Sequence, residues 1–149
     1  MEETDKIGVT THGAVVLMRH IVDQYTRHAN SLLKPLGITL GMAGLLAAVE
    51  EQPDKKASMK QIERIRRTSQ PVTLGMVGRL EKRGLLRTYF DAEDARVKIA
   101  TITEDGERVL SAARSALQKS SFEQKPGLSE KEIDELCRLL GKMQVSMDA

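Results

Sequence analysis

Between positions 55 and 98 the chain carries twelve cations: Lys55, Lys56, Lys60, Arg64, Arg66, Arg67, Arg79, Lys82, Arg83, Arg87, Arg96 and Lys98. Five acids oppose them, Glu63, Glu81, Asp91, Glu93 and Asp94, so the segment stands at +7 and the rest of the chain at −5. A basic middle between acidic ends is the pattern of a polyphosphate-binding module on a neutral scaffold. The alternative is a solvated face of a helical protein. Within the segment, Gln70 can read adenine through two hydrogen bonds, and Arg79 can read guanine or hold a phosphate. Thr73 is a further hydroxyl near the start of the same run. Val72 and Leu74 are suited to thymine methyl groups, or else they pack against another part of the chain. At Asp94 and Arg96 a carboxylate is spaced to brace a guanidinium reaching into a minor groove. The alternative is a surface ion pair worth less than about 1 kcal/mol.

Other chemistries find little support. Aromatic residues are 3% of the chain, Tyr25, Tyr89, Phe90 and Phe122, which argues against a sugar-stacking platform or a single-strand base-stacking surface. Cys137 is the one cysteine, so neither an internal disulfide nor a cysteine zinc site is available. Its neighbour Arg138 alone would favour the thiolate, and the reading is a buried, inert thiol over a redox sensor. His12, His20 and His28 recur every eight residues, drifting about 80° per step around a helix, so no metal site is expected. No carboxylate pair, Ser/His/Asp set or phosphate-cradling glycine loop suggests an enzyme or a cofactor. No apolar run approaches the ~20 residues of a membrane span. Glu2, Glu3 and Asp5 are the wrong charge for a signal peptide. The expectation is one cytoplasmic domain of 149 residues with no membrane partner.

The elements that must position these residues follow from periodicity and capping. From Gly13 to Leu36, apolar residues at spacings of three and four predict a long amphipathic helix, ended by Lys34-Pro35-Leu36-Gly37. Thr39 caps a second helix running to about Glu51, closed by Gln52-Pro53-Asp54. Ser58 and Gln61 form a capping box for a short helix over 58–66. Ser69 caps another over 70–83, stopped by Gly84. Residues 85–90 and 97–103, rich in β-branched and aromatic side chains, predict a hairpin with a charged turn over 91–96. A fifth helix starts after Thr103 and is broken at Pro126-Gly127, and a second capping box at Ser129 opens the last one. On the 70–83 helix, Thr73, Met76, Val77 and Leu80 form the core side. The outward side presents Pro71, Gly75, Gly78 and Lys82. Each outward glycine costs roughly 1 kcal/mol relative to alanine, without benefit unless a backbone must closely approach a partner.

Two short helices and a charged hairpin in this order resemble the MarR family of regulators. The carrying stretches are 33–39, 69–85 and Asp94-Ala95-Arg96 with 100–106. The resemblance implies a mainly α fold with a small two-stranded β wing, in which a winged helix-turn-helix lobe over 38–103 stands between dimerisation helices over 13–36 and 104–147. It implies a homodimeric, cytoplasmic transcriptional regulator, a repressor, that reads a pseudo-palindrome in double-stranded DNA. Its recognition helix enters the major groove and its wing arginine the minor groove. Carried onto this chain, the groove residues are Ser69, Gln70, Pro71, Thr73, Gly75 and Arg79. Leu74, Lys60 and Thr68 stand beside them, with Arg96 in the wing and Asp94 as its brace. Two departures stand out: many relatives have arginine where this chain has Gly75, and glycine where it has Arg67.

Relatives also respond to small phenolic or anionic molecules. The second helix is small-sided (Gly41, Ala43, Gly44, Ala47, Ala48), which means close helix packing or an open cavity. For a cavity, Thr39, Met42, Ala43 and Leu46 are the candidate walls, with Met18 and His20 from the first helix. The first and last helices cannot both cover one small winged lobe, which independently favours a dimer. The competing reading is a winged-helix protein-interaction adaptor that never touches DNA, favoured by the acids of the hairpin turn.

Overall fold

The computed structural model describes residues 7–149 and resolves into two compact units, one through Leu117 and one over Gln118–Ala149. Glu2, Glu3 and Asp5 lie outside the described residues.

The first unit begins with α1 (Thr11–Leu33), whose N-cap Thr10 accepts the Gly13 amide. A 3-10 turn over Lys34–Leu36 ends at Gly37, whose φ of 70° lies in the left-handed region that glycine occupies without strain. Thr39 then caps α2 (Leu40–Glu50) through the Met42 amide, as its sequence position predicts. The capping box of Ser58 and Gln61 is present in both directions and opens α3 (Met59–Arg66). After a three-residue turn, Ser69 caps α4 (Gln70–Lys82), with Pro71 in the first turn where its missing N–H is harmless. Gly84, at φ 73°, ends α4: its amide bonds the Glu81 carbonyl while Leu85 N–H bonds the Leu80 carbonyl. The hairpin is β2 (Leu86–Phe90) and β3 (Lys98–Ile102), and α5 (Glu104–Gln118) follows, its first turn held by Thr103 accepting the Gly106 amide.

One strand goes beyond the expected pair. Lys56–Ser58 forms β1, antiparallel to β3, so the sheet has the order β1-β3-β2. Three residues are too few to show a period of two, which is why the sequence does not announce them. Ala57 faces Ala100 across the ladder and both are buried, so the sheet can lie close on the helices. The core beneath it comprises Leu33, Leu45, Leu46, Val49, Ile62, Val77, Leu80, Leu86 and Leu110. No single helix among the described residues is long and apolar enough to cross a membrane.

The small residues of α2 serve close packing. A Cβ on Gly44 would collide with the guanidinium of Arg66, and one on Gly41 would stand 3.3 Å from the Met76 methyl. Arg67 ends α3 at φ 52°, ψ 43°, the left-handed conformation expected to strain a residue with a Cβ. Arg67→Gly is therefore expected to stabilise the fold by roughly 0.5–1 kcal/mol, the relieved strain exceeding glycine's added chain entropy. The check is a higher urea midpoint at constant m-value. A lower midpoint would mean the Arg67 side chain outweighs its backbone strain.

The second unit contains α6 (Ser121–Gln124), capped by Ser120, and α7 (Glu130–Asp148), opened by the predicted Ser129 and Glu132 box. The short α6 was not expected: the fifth helix stops at Gln118, well before Pro126. No residue of α7 is buried, and Leu136, Leu139, Leu140, Val145 and Met147 are all exposed.

Candidate nucleic-acid interface

The turn between α3 and α4 is pinned by a hydroxyl pair, Thr68 Oγ1 to Thr73 Oγ1 at 2.7 Å. This corrects one expectation: Thr73 is only 1% exposed and its hydroxyl is already bonded, so it positions the helix and has no edge to offer a groove. Thr68, half-buried, serves the same turn. Ser69 spends its side chain on the Val72 amide, leaving Gln70 as the exposed polar group at the start of α4.

The far side of α4 is bare. Nothing comes within 4 Å of a Cβ placed on Gly78, and only the Arg79 guanidinium approaches one on Gly75. Val72 and Leu74 are 48% and 41% exposed, so packing against the chain does not account for them. Arg79 lies back along its own helix, its Nε donating to the Gly75 carbonyl at 3.2 Å. Beside this face, α3, the start of α4 and the hairpin enclose a cleft of about 520 Å³. Lys60, Glu63, Gln70, Leu74, Arg96 and Lys98 are among its walls. Four of the residues selected from sequence thus meet in one concavity. Lys98 was missed as a site residue, although its place in the basic run directly after the wing turn was the available signal.

The wing turn is closed by the Asp91 amide on the Val97 carbonyl at 2.8 Å and the Val97 amide on the Asp94 carbonyl at 3.0 Å. Asp94 accepts three bonds from Arg96: from the backbone amide (3.1 Å), Nε (3.0 Å) and Nη2 (3.2 Å). These bonds hold its carboxyl below the usual carboxylate range, so the pair persists at neutral pH and loosens only as acid protonates Asp94. The Arg96 side chain remains 91% exposed, so the brace fixes its direction without covering it. A second carboxylate joins helix to wing. Glu81 at the end of α4 accepts both the amide and the hydroxyl of Thr88, at 2.7 and 2.5 Å, and its pKa is lowered chiefly by that hydroxyl.

Not every cation of the basic segment is available. Arg83 donates to the carbonyls of Gly37 and Leu36, clamping the end of α4 to the α1–α2 turn. Lys55 pairs with Glu107 at 2.5 Å.

The residues expected to wall an effector cavity are divided between core, helix cap and surface. Met42, Ala43 and Leu46 belong to the hydrophobic core, Thr39 is engaged as a helix cap, Met18 is half-buried and His20 is exposed. Two of the small positions that suggested a cavity, Gly44 and Gly41, face the Arg66 guanidinium and the Met76 methyl. Cys137, expected to be buried, is exposed on α7. Among the described residues, no three His, Cys, Asp or Glu side chains converge as metal ligands would.

A model of the MarR family matches residues 36–97, from the α1–α2 turn through the wing turn, and the resemblance read from the sequence holds over this span. Solved structures match over nearly the whole chain. Sco5413, a MarR family transcriptional regulator from Streptomyces coelicolor, aligns with a TM-score of 0.84 at 20% identity, covering 95% of this chain and 97% of that one. MepR of S. aureus in complex with DNA gives 0.82 at 23%, covering 93% and 99%. A mutant MarR from E. coli complexed with operator DNA gives 0.78 at 20%, covering 85% and 90%. At these identities the likeness speaks for the fold: a winged helix.

Proposed function

We propose that this chain, a winged-helix protein whose central lobe carries the MarR family match, is a DNA-binding transcriptional regulator working as a cytoplasmic homodimer. The observation that carries this reading is the open glycine face of α4 standing beside a basic cleft and an arginine-tipped wing. Similar folds are known in complex with DNA, that of the E. coli MarR mutant with operator DNA, which supports it. In this reading α4 lies in the major groove with Gln70, Pro71, Leu74 and Gly75 against the bases, and Ser69 and Arg79 at its margins. Lys60 and Lys98 take phosphates, and Arg96, steered by Asp94, enters the adjacent minor groove. Thr68 and Thr73 hold the turn from behind. The lobe spans 38–103, and the helices over 13–36 and 104–147 pair with those of a second copy, because α7 alone exposes five large apolar side chains. Two-fold symmetry then sets half-sites about one helical turn apart. Repression follows if the site overlaps a promoter. A small phenolic or anionic effector would act by preferring one spacing of the two lobes over the other.

The test is duplex binding against salt. Several phosphate contacts per lobe predict a steep fall in affinity between about 50 and 200 mM salt. A flat response, or none, would favour the protein-interaction adaptor suggested by Asp91, Glu93 and Asp94 in the turn. Two substitutions divide the interface further. Arg96→Ala is expected to weaken binding most at narrow A·T minor grooves, whereas Lys60→Ala weakens all sequences alike and lowers the salt slope by about one per contact. Equal losses on every sequence would remove Arg96 from the minor groove.

A further inference from the structure

Resting on the reading above, we infer that the recognition helix reads C5-methyl groups in the major groove, those of thymine and, equally, of 5-methylcytosine. Two hydroxyls at the start of α4 are spent on the fold. Thr73 is buried against Thr68 and Ser69 caps the helix, while Arg79 commits only its Nε to the Gly75 carbonyl. Between Gln70 and Arg79 the exposed positions of α4 are apolar or bare: Pro71, Val72, Leu74 and the two glycines.

Their placement suits a methyl reader. Val72 and Leu74 are two residues apart, so they project about 160° from each other around the helix. Pro71 and Gly75 lie in the arc between them. Leu74 stands on the wing side with Lys60, Arg96 and Lys98 around it. Val72 stands on the other side, against Arg66 and Met76. Gly75 and Gly78 share that arc with Pro71, Arg79 and Lys82. Their missing side chains let the helix sink between its apolar flanks, while the cations of the cleft suit the bordering phosphates. A cytosine offers only a donor at this edge, but its 5-methyl form carries the same methyl that thymine does. Binding is therefore sensitive to cytosine methylation within the half-site.

The experiment uses the full-length protein and fluorescence anisotropy on four alternating duplexes of about 25 bp, long enough for two half-sites. They are A·T, A·U, G·C and G·5-methyl-C. Each buried methyl contributes about fourfold, so a dimer should bind A·T at least tenfold more tightly than A·U and the methylated G·C duplex more tightly than the plain one. Leu74→Ala, and independently Val72→Ala, should narrow both gaps, while Lys60→Ala should lower all four affinities and leave the gaps intact. Both apolar sites are exposed, and unchanged circular dichroism checks that each variant is folded. Equal binding of A·T and A·U, or gaps that survive both apolar substitutions, would overturn the inference while leaving DNA binding standing. Failure to bind any duplex would instead remove the reading on which it rests.

Discussion

Gly75→Glu combined with Gly78→Glu is expected to give a protein at least as stable as the natural one that no longer binds duplex DNA. Neither position has a neighbour that a side chain would displace, apart from the mobile end of Arg79 near Gly75. Glutamate is a better helix former than glycine by roughly 0.5–1 kcal/mol at each site, so the thermal midpoint should rise by several degrees. In a groove the same change is prohibitive. The side chains hold the backbone away from the base edges and set two carboxylates per lobe among phosphates. The loss should reach roughly two to three orders of magnitude at low salt. Calorimetry and anisotropy on the same preparations separate the two effects. A variant that is stabilised and still binds would mean that α4 does not approach DNA. One that unfolds would mean the open face is covered by the chain itself.

Leu136→Glu with Leu140→Glu is expected to dissociate the protein into monomers. The two residues are one helical turn apart on α7, and both are exposed. Burial of side chains of this size is worth about 1.5–3 kcal/mol each, and a symmetric interface counts every substitution twice. Because the half-sites are joined only through the dimer, separating the copies should lower operator affinity by about a hundredfold or more and roughly halve the salt slope. Sedimentation equilibrium checks the mass. A variant that remains dimeric would place the interface elsewhere, and a natural protein that is monomeric would remove the two-fold reading altogether.

Much of this architecture is legible in the sequence because it rests on local chemistry. Thr39, Ser58, Ser69 and Ser129 each combine a capping side chain with a following apolar period, and each begins a helix where expected. Gly37 and Gly84 stop elements where a left-handed residue is required. The two faces of α4 are readable as well, because buried Thr73, Val77 and Leu80 recur at spacings of four and three while Gly75 and Gly78 fall on the other side. What the sequence hid was tertiary. Thr73 reads as a groove hydroxyl until Thr68 is seen to be folded against it. The row of small residues on α2 reads as a cavity wall until the arginine and methionine lying on it are seen. β1 has no pattern of its own and exists because β3 presents a free edge beside it. Arg83 looks like one more phosphate ligand, yet it is committed to two carbonyls some 46 residues away in sequence.

The most direct measurement is methylation protection of a bound duplex by dimethyl sulfate, which reports guanine N7 in the major groove and adenine N3 in the minor groove together. With a sequence selected from random DNA and bearing a guanine in the major groove of each half-site, the expected pattern is two patches of protected guanine N7 about 10 bp apart, each bordered by protected adenine N3 on its wing side. The double glutamate variant should lose both signals and Arg96→Ala the adenine signal alone. Guanine N7 left fully reactive across a saturated site would contradict the account, because no helix could then be lying in the major groove.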